Sequence, residues 1–163
     1  MRLVVLTAAA TFALDQITKF TVVEVMDLSA RHQIDVLPPW LTFRMAWNQG
    51  INFGLMSHSS DLARWALIAL AVVISAWVWL WVRREPHSTI VKLSAGMLIG
   101  GAAGNVIDRI VYGAVADFLN MAVPGFRNPY SFNVADIAIF AGAIGLALFT
   151  GPSQPPTHGQ NTP

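Results

Sequence analysis

The stretch Leu62–Arg84, LARWALIALAVVISAWVWLWVRR, decides the fold. From Leu62 to Val82 its only ionisable residue is Arg64, near the start. As a helix this run is about 31 Å long, enough to cross the hydrocarbon core of a bilayer. Trp77, Trp79 and Trp81 gather at its far end, where amphipathic aromatics sit at the membrane–water boundary, and Arg83 and Arg84 then stop it. The rest of the chain has the same character: 55% of its 163 residues are hydrophobic and 12% are charged. A soluble domain carries about 25% charged residues, so this composition belongs in a membrane. The length suits one domain over residues 1–150. The tail from Gly151, GPSQPPTHGQNTP, is polar and Pro-rich and reads as a disordered cytoplasmic segment.

Three more spans flank the first. Leu3 to about Val25 carries Asp15 and Lys19 inside it. A cleavable leader has an uncharged apolar centre, so this reads as a retained span. Ile90 to about Val111 and Val134 to Phe149 complete a four-helix, all-α membrane protein, the last span being short. Arg2 precedes the first span, and Arg83, Arg84 and Lys92 crowd the link between the second and third. The excess of Lys and Arg places these ends, and both termini, in the cytoplasm. Two segments then face outward. Residues 26–61 hold Pro38, Pro39 and alternating apolar residues and are expected to form short strands. Residues 112–133 hold Gly113, Pro124, Gly125 and Pro129 and are expected to be loop, with Gly113 ending the third helix.

Ionisable groups inside spans cost ~2.5–3.5 kcal/mol each, so they mark partners or function. Asp15 and Lys19 are spaced i,i+4, acid first, which suits an internal ion pair. Asn105, Asp108 and Arg109 share one helical face; an Asp–Arg pair with a bridging Asn accounts for them, and so does a role in holding a peptide backbone. Asp117 and Asp136 stand apart because neither has a basic neighbour in its apolar surroundings. Carboxylates buried this way are neutralised or share a proton when brought together. Such a pair suits peptide hydrolysis, one member activating water and the other protonating the scissile carbonyl. Two independent structural carboxylates give the same local pattern.

Other chemistries fare worse. The chain has no cysteine, which removes disulfides, thiolate metal sites and a cysteine nucleophile. His32, His58, His87 and His158 lie in loops or the tail with no zinc-ligand spacing, and neither a phosphate-binding loop nor a GxGD sequence occurs. No cofactor, metal or nucleic-acid partner is expected. An ion-coupled transporter would spread charge through the membrane depth and carry internal repeats, whereas a scaffold would tolerate loss of either aspartate.

The ordered motifs resemble those of bacterial lipoprotein signal peptidase, also called signal peptidase II. Asp15-Gln16-Ile17-Thr18-Lys19 is similar to that family's D-x-x-x-K, and Asn48-Gln49-Gly50-Ile51-Asn52-Phe53-Gly54 to its N-x-G-x-x-F. Gly104-Asn105-Val106-Ile107-Asp108-Arg109 with Gly113-Ala114-Val115-Ala116-Asp117-Phe118, and then Phe132-Asn133-Val134-Ala135-Asp136, complete the series. The resemblance covers about Asp15 to Ile139. It implies four transmembrane helices with a small extracytoplasmic β-cradle. It also implies an aspartic endopeptidase of the bacterial inner membrane that cleaves prolipoproteins just before the diacylglyceryl-modified cysteine. On that resemblance Asp117 and Asp136 are catalytic, near the outer face. Asn48, Gly50, Asn105, Arg109 and Asn133 line or support the substrate site, and Asp15, Lys19 and Asp108 give structural support. The enzyme is expected to act as a monomer among membrane lipids. Ile51-Asn52 departs from the two alanines common at those positions, which bears on substrate preference.

Overall fold

The computed structural model describes residues 1–50, 59–125 and 128–150. Ile51, Asn52 and the tail therefore lie outside the described residues. The chain runs α1 (Arg2–Lys19), a π-helical extension (Phe20–Val25), α2 (Leu28–Arg31), β1 (Gln33–Leu37), β2 (Leu41–Asn48), α3 (Ser59–Arg84), α4 (Thr89–Tyr112), β3 (Val115–Met121) and α5 (Val134–Phe149). Three helical stretches, Arg2–Val25, Asp61–Arg84 and Thr89–Tyr112, are long and apolar enough to cross a membrane, and α5 is a shorter apolar helix. Their outward faces are greasy: Ile17, Val73, Trp77 and Phe140 are all exposed. Contiguous apolar surface of this kind is suited to lipid rather than water.

Helix α4 is the axis of the bundle, packed by α1, α3 and α5. Small residues make that possible. A Cβ built on Gly101 would stand 2.6 Å from the Ala135 carbonyl oxygen, and one on Gly142 2.6 Å from the Ser94 carbonyl oxygen. Backbones this close exclude any side chain, the usual device where lipid supplies no hydrophobic drive between helices. At one end of the bundle Val4, Val78, Val82, Val91, Ala95 and Leu98 form a buried cluster. This cluster joins the start of α1, the end of α3 and the start of α4, so Arg2, Arg83, Arg84 and Lys92 belong to the same end.

The opposite end carries a three-stranded antiparallel sheet in the order β1-β2-β3. Gln33 pairs with Arg44, Asp35 with Thr42, Thr42 with Asn120 and Ala46 with Asp117. Register shifts between Asp35 and Leu37 and between Phe43 and Ala46 bend the sheet over the helix ends. Beneath it Val22, Leu28 and Phe118 form a second buried cluster, with the Phe43 and Phe118 rings edge to face at 5.8 Å.

β1 and β2 occupy the segment expected to hold strands. β3 corrects the loop expected over residues 112–133. Its sequence VADFLNM lacks clean alternation and carries Asp and Asn, which strands disfavour. It is a strand because β2, some seventy residues earlier, offers it a free edge. Gly113 does end α4, with φ +76° and its N–H bonded to the Arg109 carbonyl.

Candidate active site

Asp117 and Asp136 reach one site from different elements. Asp117 sits in β3 just past the Gly113 turn and is buried. Asp136 is held by the first turn of α5. There the Asn133 Oδ1 accepts from the Asp136 N–H at 2.8 Å, and the Asn133 N–H donates to Asp136 Oδ2 at 3.2 Å. This reciprocal capping box fixes the entry of α5 and the aim of its carboxylate together.

Asn133 also joins the two aspartates. Its Nδ2 donates to Asp117 Oδ1 at 2.6 Å and to Asn105 Oδ1 at 3.2 Å. Asn105 Nδ2 in turn donates to Asp136 Oδ1 at 2.8 Å, and Asn48 Nδ2 donates to Asp117 Oδ2 at 3.0 Å. Each of the four carboxylate oxygens thus has one donor and keeps acceptor capacity for a further partner. Burial, then the nearby charge of Asp136, pushes the Asp117 carboxyl up to about 6, against the hydrogen bonds from Asn48 and Asn133 and the charge of Lys19. Asp117 is therefore suited to hold a proton over a range where an isolated aspartate is ionised.

The other residues singled out in the sequence fall around this pair. Gly50, with φ +91°, donates its N–H to Asn48 Oδ1 at 2.9 Å and so sets the Asn48 amide. Arg109 Nη1 donates to the Asn105 carbonyl at 3.2 Å, and its Nε is buried without a partner among the described residues. The Asp15–Lys19 pair forms at 2.8 Å. Asp108, however, pairs with Lys19 at 2.7 Å rather than with the adjacent Arg109. Neighbours in sequence on a helix point about 100° apart, and α1 brings Lys19 to the face that Asp108 presents. Gln16, which drew no attention in the sequence, donates to both Asp15 and Asp108. A third polar side chain in an apolar span was the available signal.

Two apolar cavities flank α5 and end at this polar cluster. One, of about 800 Å³, runs from Asp136 past Phe132, Ile137 and Phe140 to Phe149. The other, of about 410 Å³, lies among Leu67, Ile74 and Ile139 and reaches Asn105 and Arg109. The aspartate pair and Asn105 thus stand at the head of surfaces that suit acyl chains or an apolar peptide.

Residues 7–150 match the family model described as signal peptidase (SPase) II. A lipoprotein signal peptidase of Methylobacterium sp. (strain 4-46) is 42% identical over 144 residues, which is 88% of this chain and 86% of that protein. One from Alteromonas mediterranea is 39% identical over 142 residues, 86% of this chain and 76% of its own. Among solved structures, two bacterial membrane enzymes determined by the in meso method at 2.3 Å and 1.9 Å superpose with TM-scores of 0.71 and 0.74. They are 24% and 23% identical, each over 88% of this chain and over 84% and 89% of their own, and speak for the fold. With a family model spanning nearly all of the described helices and sheet, the chain belongs to the signal peptidase II family.

Proposed function

We propose that Asp117 and Asp136 are the catalytic pair with which this chain, an aspartic endopeptidase of the signal peptidase II family, removes signal peptides from prolipoproteins. The observation that carries the reading is the buried Asn133, which binds both carboxylates and holds them on one site at the head of the apolar cavities. With one proton between them, the ionised carboxylate draws a proton from water as the water oxygen bonds the scissile carbonyl carbon. The protonated carboxyl gives its proton to the carbonyl oxygen. The tetrahedral adduct then collapses: the C–N bond breaks, the proton taken from water passes to the departing amine, and one hydroxyl proton of the adduct returns to the other carboxylate as the new C=O forms, so the pair again holds one proton. The pair acts as a unit, so neither aspartate has a fixed role at rest.

Asn48, Gly50, Asn105, Arg109 and Asn133 are proposed to hold the substrate or orient the pair. Asn48, Asn105 and Asn133 already donate to the carboxylates, and Arg109 keeps unspent donors beside the same groups. The bond cut is proposed to be the one before a diacylglyceryl-modified cysteine. A lipid-anchored substrate explains the apolar cavities: acyl chains confine the scissile bond to the membrane surface and raise its effective concentration at the pair. Both termini are proposed to be cytoplasmic, with the sheet and the pair toward the outer face of the bacterial inner membrane and the enzyme active as a monomer.

The test is cleavage of a diacylglyceryl-modified prolipoprotein by purified enzyme in micelles. Asp117→Asn and Asp136→Asn are each expected to abolish it while still inserting and accumulating. Retained cleavage by either variant overturns the assignment.

A further inference from the structure

A second polar cluster lies beside the Asp117–Asp136 pair. Asp15 of α1 and Asp108 of α4 face each other there, 0% and 1% exposed. Lys19 Nζ stands between them, 2.8 Å from Asp15 Oδ2 and 2.7 Å from Asp108 Oδ2. Gln16 makes a parallel bridge: its Nε2 donates to Asp15 Oδ2 and to Asp108 Oδ1, both at 3.1 Å. The two carboxylates also reach the backbone of the site. Asp15 Oδ1 accepts from the Ala135 N–H at 2.9 Å, and Asp108 Oδ2 accepts from the Ala116 N–H at 3.2 Å. Ala135 and Ala116 are the residues immediately before Asp136 and Asp117.

The spacing of Asp117 and Asp136 is therefore tied to the spacing of Asp15 and Asp108. Two carboxylates share a single ammonium, which leaves one negative charge in a buried cluster. A charge of that kind costs several kcal/mol unless further donors meet it. Gln16 supplies them, one amide proton to each carboxylate. Without it the carboxylates repel with less to hold them together, and each carries a backbone N–H of the site with it. The closeness of α1 to this cluster is built in as well: Gly104 has no side chain where Asp15 Oδ2 lies.

We infer that Gln16 is a positioning residue, bridging Asp15 and Asp108 so that the backbone segments bearing Asp117 and Asp136 stay at their working separation. The inference rests on the catalytic reading of that pair. Among the described residues Gln16 makes no hydrogen bond to Asp117 or Asp136, and it borders a cavity of about 270 Å³ with Glu24, Trp47 and Tyr112, so substitutions there can be accommodated. It acts on the geometry of the reacting groups and leaves the apolar cavities unchanged, so its loss belongs in kcat rather than in KM.

The experiment is steady-state cleavage of a diacylglyceryl-modified prolipoprotein peptide in micelles, with thermal midpoints measured on the same preparations. Gln16→Met, which keeps the length and removes the donors, is expected to lower kcat about tenfold with KM within about twofold, on the scale at which a displacement of about 1 Å costs about a hundredfold. Gln16→Glu, which keeps the shape but adds a third carboxylate, is expected to lower kcat more than Gln16→Met. If Gln16→Met does not accumulate, Gln16→Asn, one methylene shorter, is judged by the same split. A kcat within about twofold of the parent, an equal fold-loss carried by KM, or a loss accounted for by a smaller folded fraction at the assay temperature overturns the inference. Asp117→Asn run alongside separates the two readings. An active Asp117→Asn enzyme overturns the catalytic assignment, whereas an inactive one beside a fully active Gln16→Met overturns the positioning role alone.

Discussion

Asn133 spends every polar atom it has on the site and the helix start: the backbone N–H and Oδ1 on Asp136, the two Nδ2 protons on Asp117 and Asn105, and its carbonyl on the Ile137 N–H. Asn133→Ala therefore removes a helix cap, worth about 1 kcal/mol, and unties both carboxylates at once. Cleavage is expected to fall at least about a hundredfold, with only a few degrees lost from the thermal midpoint. Measuring kcat and the midpoint on one preparation checks the split. The Asp117 proton gives a second prediction. Its folded value, about 6, lies above that of an unfolded aspartate, so the folded state binds the proton more tightly. The stabilisation is full below about pH 4 and is lost as pH rises through about 6, a change of about 3 kcal/mol. The midpoint of the parent should fall over that range, and that of Asp117→Asn should fall less. At this scale the sequence was only half readable. The Asp15–Lys19 pair was visible because both partners lie on one helix. The pairing of Lys19 with Asp108 joins residues 89 positions apart, and no local spacing encodes it.

Elements were easier to read where burial in lipid writes a long pattern. The spans expected at Leu62–Val82, Ile90–Val111 and Val134–Phe149 differ from α3, α4 and α5 by no more than a turn at each end. β3 was not readable, because its strand character comes from the edge of β2 and not from its own residues. The element that matters most for the site is α5, since it carries Asp136. Its seat depends on Gly142, where a side chain would meet the Ser94 carbonyl at 2.6 Å and the Leu98 N–H nitrogen at 2.8 Å. Both obstacles are backbone and cannot step aside. Gly142→Leu should cost about 1–3 kcal/mol of overpacking and push α5 off α4. Because Asn105 on α4 donates to Asp136 on α5, that displacement also stretches the site. Expected together are a lower thermal midpoint in detergent and a loss of cleavage larger than the unfolded fraction explains. Leu148→Ala, on an exposed face of the same helix, is the control and should change neither.

Across the whole molecule, helix lengths and charges set the depth of the chemistry. Asn105, which donates to Asp136, lies seven residues before Tyr112 ends α4, so the floor of the site is about 10 Å below that end. The 16 residues of α5 span about 24 Å, less than a hydrocarbon core of about 30 Å. With its far end near one boundary, its capped end and Asp136 stop short of the other, at the level where an acyl-anchored peptide meets water. The proposed choice of boundary rests on the basic residues. Arg2, Arg83, Arg84 and Lys92 all belong to the end of the bundle remote from the sheet, and Lys and Arg are retained on the cytoplasmic side. On the proposed topology the sheet and the aspartate pair face outward. The absence of cysteine makes this directly testable, since a single introduced thiol has no background. In intact cells a membrane-impermeant thiol reagent should label Gln33→Cys, at the exposed start of β1, and should label Glu85→Cys, just past α3, only after permeabilisation. The reverse pattern would put the aspartates in the cytoplasmic half and remove their access to a substrate anchored in the outer leaflet.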